Sequence, residues 1–333
     1  MIKTSSEWTI DDYRGALFTR LFNFYRNDYK VEPGIYSLND PTPESPVIVT
    51  ANYALTFNHV RRALKDRPAW MLVLDTKGIN VWCAAGKGTF GTNELLKQIL
   101  MTNLHDIVSH RDLILPQLGA SNMKAHEVQK KSGFRVHYGP VRATDIPAYL
   151  DSGMKADNSM RRVEFTFIDR FVLTPMEITL TAKSVLIFAA IIFLLSGIST
   201  TIFSLDNAIT VSMPFLVSAF TAWISGAVLS PLLLPILPFR SFALKGAATG
   251  ILTMFIPLSL LCCENSSIFE TLFTVISVPA FSSWLFLNFT GASTFTNPSG
   301  VRKEMKASIP IYLTSAVILA ALIIITLIKK WDA

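Results

Sequence analysis

Short apolar runs alternate with helical patterns between residues 47 and 138. The apolar runs are Val47-Ile48-Val49, Trp70–Leu74, Leu113-Ile114-Leu115 and Val136-His137-Tyr138. Between them, helical patterns fall at about 55–66, 92–108 and 122–132. Alternation of this kind is typical of α/β domains, in which helices cover a parallel sheet. We therefore predict a domain of Rossmann-like architecture at 47–160.

The residues before this pattern differ from it in composition. Residues 1–30 read as an amphipathic helical arm, with Leu17, Leu21, Phe24 and Tyr25 on one face. A stiff segment rich in proline follows. Its punctuating residues are Pro33, Gly34, Pro41, Pro43 and Pro46. We expect residues 1–46 to form an N-terminal arm and a Pro-rich linker.

The second half of the chain is dominated by long uncharged stretches. They are Ser184–Leu205, a run within Asn207–Phe239, Gly246–Cys263, Thr271–Phe289 and Ala307–Ile328. A helix needs about 20 apolar residues to span a bilayer core, and each stretch is long enough. Four prolines in the second stretch should kink its helix or end it early. We predict a connector at 161–182 and, at 183–333, an all-α transmembrane domain of five helices.

Charge agrees with this division and suggests an orientation. Residues 1–182 hold 22 Lys and Arg and 19 Asp and Glu, whereas residues 183–333 hold only 8 and 5. The loops after spans two and four carry basic residues, and the alternate loops carry only acidic ones. By the positive-inside rule the N-terminal domain faces the cytoplasm. Near Met1, acidic residues replace the apolar core of a signal peptide. The expected location is therefore the cytoplasmic (inner) membrane, as a multi-pass protein.

The segment Asn80–Gly88 is the strongest candidate for chemistry. It holds Cys83, the only cysteine of residues 1–182, directly after a predicted strand. Its neighbours Ala84, Ala85, Gly86 and Gly88 are small, which leaves room for a large flat ligand. A lone cysteine is more often a small buried hydrophobe, but the position at a strand end favours a metal ligand.

Other residues of this segment have more than one interpretation. Asn80 is predicted to cap a short helix, and Trp82 to anchor the segment by packing. Lys87 could contact a cofactor edge or be solvated. The segment is no phosphate-binding loop, because Val81 stands where that motif needs glycine and Gly88 where it needs Ser or Thr. The five histidines lack metal-ligand spacing, and three cysteines cannot form a disulfide framework.

Further candidates follow the predicted strands, because ligands of parallel sheets bind at the carboxyl ends of the strands. Thr50 and Asn52 follow the first strand and either bind a cofactor face or merely end the strand. Gln117 and Gly119 follow the third strand, and Gly139 the fourth. Small or backbone-presenting residues at these positions suit a wide ligand that approaches closely.

At residues 80–88 the run Asn-Val-Trp-Cys-Ala-Ala-Gly-Lys-Gly resembles the cap-helix signature of the mercury-methylating corrinoid proteins, the HgcA family. The layout of an α/β domain followed by five membrane helices is also similar. So are the segments Asn288–Ser293 and Ser299–Met305. A more distant similarity is to the corrinoid iron–sulfur protein of acetyl-CoA synthesis. That relative carries its own cluster, and no cysteine set in this chain could hold one.

The resemblance implies that the cofactor is cobalamin and that Cys83 is the lower axial ligand of its cobalt. The usual histidine-donating run of cobalamin proteins, Asp-x-His-x-x-Gly, is absent. The cap segment and the strand-end loops would enclose the corrin. The implied cofactor-binding residues are Thr50, Asn52, Asn80, Val81, Trp82, Cys83, Ala84, Ala85, Gly86, Lys87, Gly88, Gln117, Gly119 and Gly139.

The activity that the resemblance implies is a corrinoid-dependent methyltransferase. It would transfer a methyl group from cob(III)alamin to Hg(II) and produce methylmercury. Thiolate is a soft, strongly donating ligand and should loosen the cobalt–carbon bond opposite it. The methyl group would leave as a carbanion equivalent or a radical. The alternative is a corrinoid methyl carrier of one-carbon metabolism with a different acceptor. A transporter is disfavoured, because the spans hold almost no ionisable residues.

Partners follow from the same chemistry. Turnover requires Co(I), so a low-potential electron donor is needed, and the resemblance implies an HgcB-type ferredoxin with two [4Fe–4S] clusters. Hg(II) is the implied substrate, and a folate-linked methyltransferase system the implied methyl donor. Membrane lipid is a further partner, and a homo-oligomer stays open. We expect no nucleic-acid partner.

Overall fold

The computed structural model describes residues 1–199, 202–263, 267–293 and 295–331. The chain divides into two compact units, Met1–Glu164 (unit 1) and Phe165–Ala333 (unit 2). The segment expected as a connector, 161–182, is therefore shared between the units. The segment expected as an arm and linker, 1–46, belongs to unit 1.

Unit 1 is built on a six-stranded mixed sheet with the order β1-β2-β4-β3-β5-β6. The strands are β1 (Ile2–Thr4), β2 (Gly34–Leu38), β3 (Val47–Ala51), β4 (Ala69–Leu74), β5 (Asp112–Leu115) and β6 (Arg135–Tyr138). Strand β3 pairs in parallel with β4 and β5, and β6 continues in parallel from β5. The predicted parallel sheet is confirmed for these four strands. Strand β2, which was not predicted, runs antiparallel to β4 and makes the sheet mixed.

Helices cover both faces of this sheet. They are α1 (Ile10–Leu21), α2 (Asn23–Asp28), α3 (Ala54–Ala63), α4 (Val81–Lys87), α5 (Thr92–Met101), α6 (Leu104–Ile107), α7 (Ala125–Ser132) and α8 (Ile146–Asp151), with 3₁₀ turns at Gln117–Asn122 and Ala143–Asp145. The predicted helix at 92–108 is interrupted at Asn103, whose φ of 48° is left-handed. Buried apolar side chains form two clusters, which contain alternate residues of the central strands.

The expectation of a separate arm and linker at 1–46 is wrong, because strands β1 and β2 complete the sheet. Arg61 on α3 fastens this segment. Its guanidinium is buried, lies 2.6 Å from Asp12 and donates to the carbonyls of Ser5 and Glu7. Burial tends to raise the pKa of Asp12, but hydrogen bonds from Arg61 and Thr9 outweigh it and hold that pKa below its ordinary value. These contacts join residues far apart in the chain, which a local pattern does not reveal.

Helix α1 packs through small side chains rather than large ones. It buries Gly15, Ala16 and Thr19, and Leu17 is exposed. A Cβ atom at Gly15 would lie 2.3 Å from the ring of Tyr29. Glycine is therefore required for this close approach.

Unit 2 has five helical segments among its described residues that are long and apolar enough to cross a membrane, by length and composition. They are Phe167–Gly197, Leu205–Leu233, Phe242–Leu261, Ile268–Gly291 and Ser299–Lys330. In finer detail the helices are α9 (Phe167–Phe171), α10 (Thr174–Gly197), α11 (Leu205–Ile224), α12 (Ser230–Leu233), α13 (Phe242–Thr253), α14 (Phe255–Cys263), α15 (Ile268–Asn288) and α16 (Pro298–Trp331). Their number agrees with the five predicted spans.

Two boundaries in unit 2 differ from a plain reading of hydropathy. The first predicted span continues to Leu205, but the helix ends at Gly197, where a short hairpin begins. Its strands are β7 (Ile198–Ser199) and β8 (Ile202–Phe203). In the second span the helix is irregular and ends early, as its prolines predict. A π-helical turn at Ser225–Leu229 follows α11, and the helix ends at Leu233.

Helices α13 and α15 meet through small residues. A Cβ atom at Gly246 would lie 2.8 Å from the backbone oxygen of Ser282. Hydroxyl pairs join neighbouring helices, with Ser218 2.8 Å from Thr274 and Ser225 3.0 Å from Ser282. Small residues and interhelical hydroxyl bonds are the usual means by which helices associate in lipid.

Candidate functional site

A cavity of about 290 Å³ lies at the carboxyl ends of the parallel strands. The chain passes from β3 to β4 on one side and returns to β5 on the other side of β3. Such a reversal opens a crevice, which is the usual ligand site of open α/β sheets. Thr50 of β3, Pro116 after β5 and Gly139 after β6 line this cavity. Asn80 and Trp82, at the start of α4, line it from another side.

Thr50 carries an unpaired polar group at this cavity. The residue is only 1% exposed, and its Oγ1 has no hydrogen-bond partner among the described residues. An unsatisfied buried hydroxyl costs about 1–3 kcal/mol. A group that cannot pair within the protein and that lines a cavity is well placed to bind a ligand.

Asn52 has a different surrounding, although it lies only two positions further along the chain. Its Oδ1 accepts hydrogen bonds from Thr76 N (3.0 Å), Thr76 Oγ1 (2.9 Å) and Gly78 N (3.0 Å). Its Nδ2 donates to Asp75 Oδ1 at 3.3 Å. The side chain therefore organises the loop after β4 and does not line the cavity, and its contact with a cofactor stays a prediction.

Helix α4 begins as the sequence predicts. Asn80 caps it, since its Oδ1 accepts from Cys83 N at 2.9 Å. The helix ends at Gly88, whose φ of 87° is left-handed and suits glycine. Val81, Ala84 and Ala85 are buried, and their spacing places them on one face.

The opposite face of α4 is open. It presents Trp82, Cys83, Gly86 and Lys87. A Cβ atom added at Gly86 would meet nothing within 4 Å, so the space beside the thiol of Cys83 is free. Trp82 is 44% exposed and lines the cavity, so its predicted role as a packing anchor is wrong. The thiol of Cys83 is exposed and available to a ligand from outside.

Two strand-end candidates have structural contacts instead. The side-chain oxygen of Gln117 accepts from Arg161 Nη1 at 3.2 Å. A Cβ atom at Gly119 would lie 2.4 Å from the buried ring of Phe90, so glycine is needed there for packing. Neither residue lines the cavity.

The structure thus divides the predicted site residues into two groups. Those that line the cavity are Thr50, Asn80, Val81, Trp82 and Gly139. Those that do not are Asn52, Cys83, Ala84, Ala85, Gly86, Lys87, Gly88, Gln117 and Gly119.

Sequence reasoning missed one wall of the cavity. Thr56, His59 and Val60 of α3 line it, as do residues 143 and 146, whereas the lining residues 140 and 141 belong to the loop after the fourth predicted strand. The pKa of His59 is lowered, because its ring is partly removed from water and because the positive charges of Arg20 and Arg62 lie nearby. The absence of metal-ligand spacing among the five histidines gave no reason to place His59 at a site. The available signal was the position of α3 directly after β3, since such helices border the strand-end crevice.

These features define unit 1 as an α/β unit with a crevice at the carboxyl ends of its strands, next to a short helix that presents an accessible thiol. Among the described residues, no group of three or more His, Cys, Asp or Glu side chains could hold a metal ion by itself.

Comparison with known proteins places a match inside this unit. Residues 16–150 match the family model of the CO dehydrogenase/acetyl-CoA synthase delta subunit. The chain is also similar to gamma subunits of the acetyl-CoA decarbonylase/synthase complex. It is 34% identical to that of Archaeoglobus fulgidus over 138 residues, which are 40% of this chain and 29% of the relative. It is 35% identical to that of Methanopyrus kandleri over 129 residues, 38% of this chain and 27% of the relative.

The chain thus spans less than a third of the length of these curated relatives. The matches support the distant similarity to proteins of acetyl-CoA synthesis, and the mercury-methylating activity stays a prediction.

Proposed function

We propose that this chain is a membrane-anchored corrinoid methyl carrier, with the thiolate of Cys83 as an axial ligand of cobalt. The observation that carries this proposal is the exposed thiol on the open face of α4, next to the strand-end cavity. The similarity of residues 16–150 to a subunit of CO dehydrogenase/acetyl-CoA synthase adds support, because a corrinoid carries the methyl group in that chemistry.

The residues present fit a corrinoid. A corrin ring already supplies four ligands to its cobalt, so the protein needs to supply one donor and not a cluster of three or more. Cys83 is such a donor, and the open space at Gly86 leaves room for a flat macrocycle. The cavity of about 290 Å³ is smaller than a whole corrinoid. The ring would therefore lie on the strand-end edge, with smaller parts of the cofactor entering the cavity.

Each residue of the site has a role that follows from its contacts. Cys83 would donate its thiolate to cobalt, and thiolate is a soft, electron-rich ligand. Thr50 would donate its free hydroxyl hydrogen to the bound group and so satisfy its own bonding requirement. Asn80 holds the first turn of α4 in place. Trp82 borders the cavity with an apolar ring and would exclude water. A bound corrinoid supplies the cobalt that carries a methyl group between donor and acceptor.

The comparisons favour a methyl acceptor in one-carbon metabolism, because the similar proteins are subunits of an acetyl-CoA decarbonylase/synthase complex. Hg(II) is our second candidate acceptor. The observation that favours it is the cap-helix run at 80–88, which folds as a discrete helix with its thiol exposed. A strongly donating thiolate would promote transfer of the methyl group as a carbanion equivalent, the form that Hg(II) accepts.

The proposal requires an external electron donor. The 333 residues contain three cysteines, and a [4Fe–4S] cluster takes four. A ferredoxin with two such clusters, of the HgcB type, would meet this need. The five apolar helices would hold the chain in the cytoplasmic membrane. Unit 1 would then lie on the cytoplasmic side, accessible to a reduced ferredoxin and a folate-linked methyl donor.

The proposal is tested by the absorption spectrum of the full-length protein, purified without oxygen and loaded with cobalamin. We expect a corrin chromophore whose bands change in Cys83→Ala, together with a loss of methyl transfer of at least about 100-fold, because even the loss of a residue that only orients a metal ligand typically costs 10- to 100-fold. The double variant Cys262→Ala/Cys263→Ala is the matched control and should retain both properties. A wild-type protein that binds no corrinoid would refute the proposal.

The same preparation separates the two acceptors. Methylated protein is offered Hg(II) or the acetyl-CoA synthase acceptor system, and the rate of methyl loss is measured for each. Faster loss to the carbon acceptor supports the first candidate, and faster loss to Hg(II) supports the second.

A further inference from the structure

We infer that Asn52 is a positioning residue that fixes α4, and with it Cys83, through the loop Asp75–Asn80. It does so without touching the cofactor. This inference rests on the proposed function, because it concerns how the thiol is held for a ligand. Its contacts are nevertheless visible in the protein alone.

Three donors converge on one oxygen atom. The backbone N–H groups of Thr76 and Gly78 and the hydroxyl of Thr76 all lie within 3.0 Å of Asn52 Oδ1. Asn52 is 3% exposed and Thr76 is fully buried, so water does not replace these bonds. The loop is thereby tied to the end of β3.

The loop needs these hydrogen bonds because two of its residues have a left-handed backbone conformation. Lys77 has a φ of 59° and Gly78 a φ of 72°, both left-handed. A lysine in this region is strained and persists only where its surroundings fix it. Asn52 holds the residues on both sides of Lys77, and Asp75 Oδ1 accepts from Lys77 N at 2.9 Å.

The contacts continue from the loop to the thiol. Thr76 Oγ1 also lies 2.6 Å from the carbonyl oxygen of Ile79, the residue before the helix cap, so its single hydrogen is shared between that carbonyl and Asn52 Oδ1. Asn80 then accepts from the backbone N–H of Cys83. Hydrogen bonds within the loop and the cap therefore connect Asn52 to the residue that would bind cobalt.

The carboxamide suits this position better than any similar side chain. Its oxygen accepts three bonds while its amide N–H donates to Asp75. An aspartate would keep the acceptor but would place a second carboxylate about 3.3 Å from that of Asp75. Alanine would remove both functions. Asn52→Ala should therefore loosen the loop most, and Asn52→Asp should loosen it less, relative to the wild-type protein.

Asn58 offers a matched control. It is also a 3% exposed asparagine of unit 1, and it bonds with Asp12, Tyr29 and Arg61 rather than with the loop. Asn58→Ala should cost stability through a similar loss of buried bonds. It should leave the loop and α4 unchanged.

The first measurement is hydrogen–deuterium exchange of the full-length protein without cofactor. In Asn52→Ala we expect the amides of residues 75–88 to exchange about tenfold faster, whereas in Asn58→Ala their exchange should be unchanged. In Asn52→Asp the increase should be intermediate. Equal exchange of these residues in the Asn52→Ala and Asn58→Ala variants would overturn the positioning role.

The second measurement is the absorption spectrum after loading with cobalamin. The bands that depend on Cys83 should weaken in Asn52→Ala and persist in Asn58→Ala. Retention of these bands in Asn52→Ala would overturn the link to the thiol. A wild-type protein that binds no corrinoid would instead refute the proposed function, while the exchange experiment would still decide whether Asn52 fixes the loop.

Discussion

Thr50 and Asn52 lie two positions apart at the end of β3, and the two regions around them are built in opposite ways. The region around Asn52 is a closed set of hydrogen bonds that joins β3 to the loop before α4. The region around Thr50 is a cavity in which a buried hydroxyl has no partner among the described residues. Both side chains are buried and polar, so burial alone does not separate their roles. The hydrogen bonding of each side chain does separate their roles. Asn52, whose hydrogen bonds are satisfied, supports the loop before α4, whereas the unpaired hydroxyl of Thr50 can bind a ligand.

The two faces of α4 repeat this contrast. The buried face is packed with Val81, Ala84 and Ala85, and the open face carries Cys83 beside the free space at Gly86. A rigid support beneath an accessible donor is the arrangement that a cofactor-binding helix requires.

The largest effect is expected where the packed side is disturbed. Gly119→Ala would place a methyl group 2.4 Å from Phe90, whose buried ring has no room to move. Overpacking of this kind costs about 1–3 kcal/mol. Chemical denaturation of the full-length protein, followed by the fluorescence of unit 1, should show this loss in the free energy of unfolding.

Gly86→Ala is the control for the open side. The added methyl group meets nothing within 4 Å, and alanine favours a helix over glycine by about 1 kcal/mol. The free energy of unfolding should therefore stay equal or rise slightly. Equal losses in both variants would show that the two sides do not differ in packing.

A smaller effect on the free energy of unfolding is expected when threonine is replaced by valine, once near Asn52 and once at the cavity. The two replacements should differ in sign. Thr76→Val removes a hydroxyl that lies 2.9 Å from Asn52 Oδ1 and 2.6 Å from Ile79 O. It should cost about 0.5–1.5 kcal/mol, because Asn52 Oδ1 keeps two backbone N–H donors. Thr50→Val removes a hydroxyl without a partner and should be neutral or stabilising by less than about 1 kcal/mol. Thermal unfolding of the cofactor-free protein measures both.

The same Thr50→Val variant should weaken cofactor binding, because the bound group loses its donor. A large loss of stability in the cofactor-free variant would mean that Thr50 belongs to the supporting region.

The sequence revealed the features that depend on local pattern. The four parallel strands, the helices between them and the cap at Asn80 follow from apolar periodicity and from the side chain that best satisfies a helix start. The number of apolar helices in unit 2 follows from length and composition.

Features that depend on distant contacts could not be predicted in this way. Strands β1 and β2 join the sheet because β1 pairs with β2 and β2 pairs with β4, and Arg61 binds the residues that follow β1. Neither set of contacts leaves a periodic signal. The role of Asn52 depends on where Thr76 and Gly78 come to lie. Trp82 was expected to anchor its segment by packing, but its place on a short helix turns it toward the cavity.

The most direct test of the central claim is X-ray absorption at the cobalt edge of the full-length protein loaded with cobalamin. We predict one sulfur atom bound to cobalt in the wild-type protein and in the Cys262→Ala/Cys263→Ala variant, and none in Cys83→Ala. A spectrum without sulfur in the wild-type protein, or one unchanged by Cys83→Ala, would contradict the account.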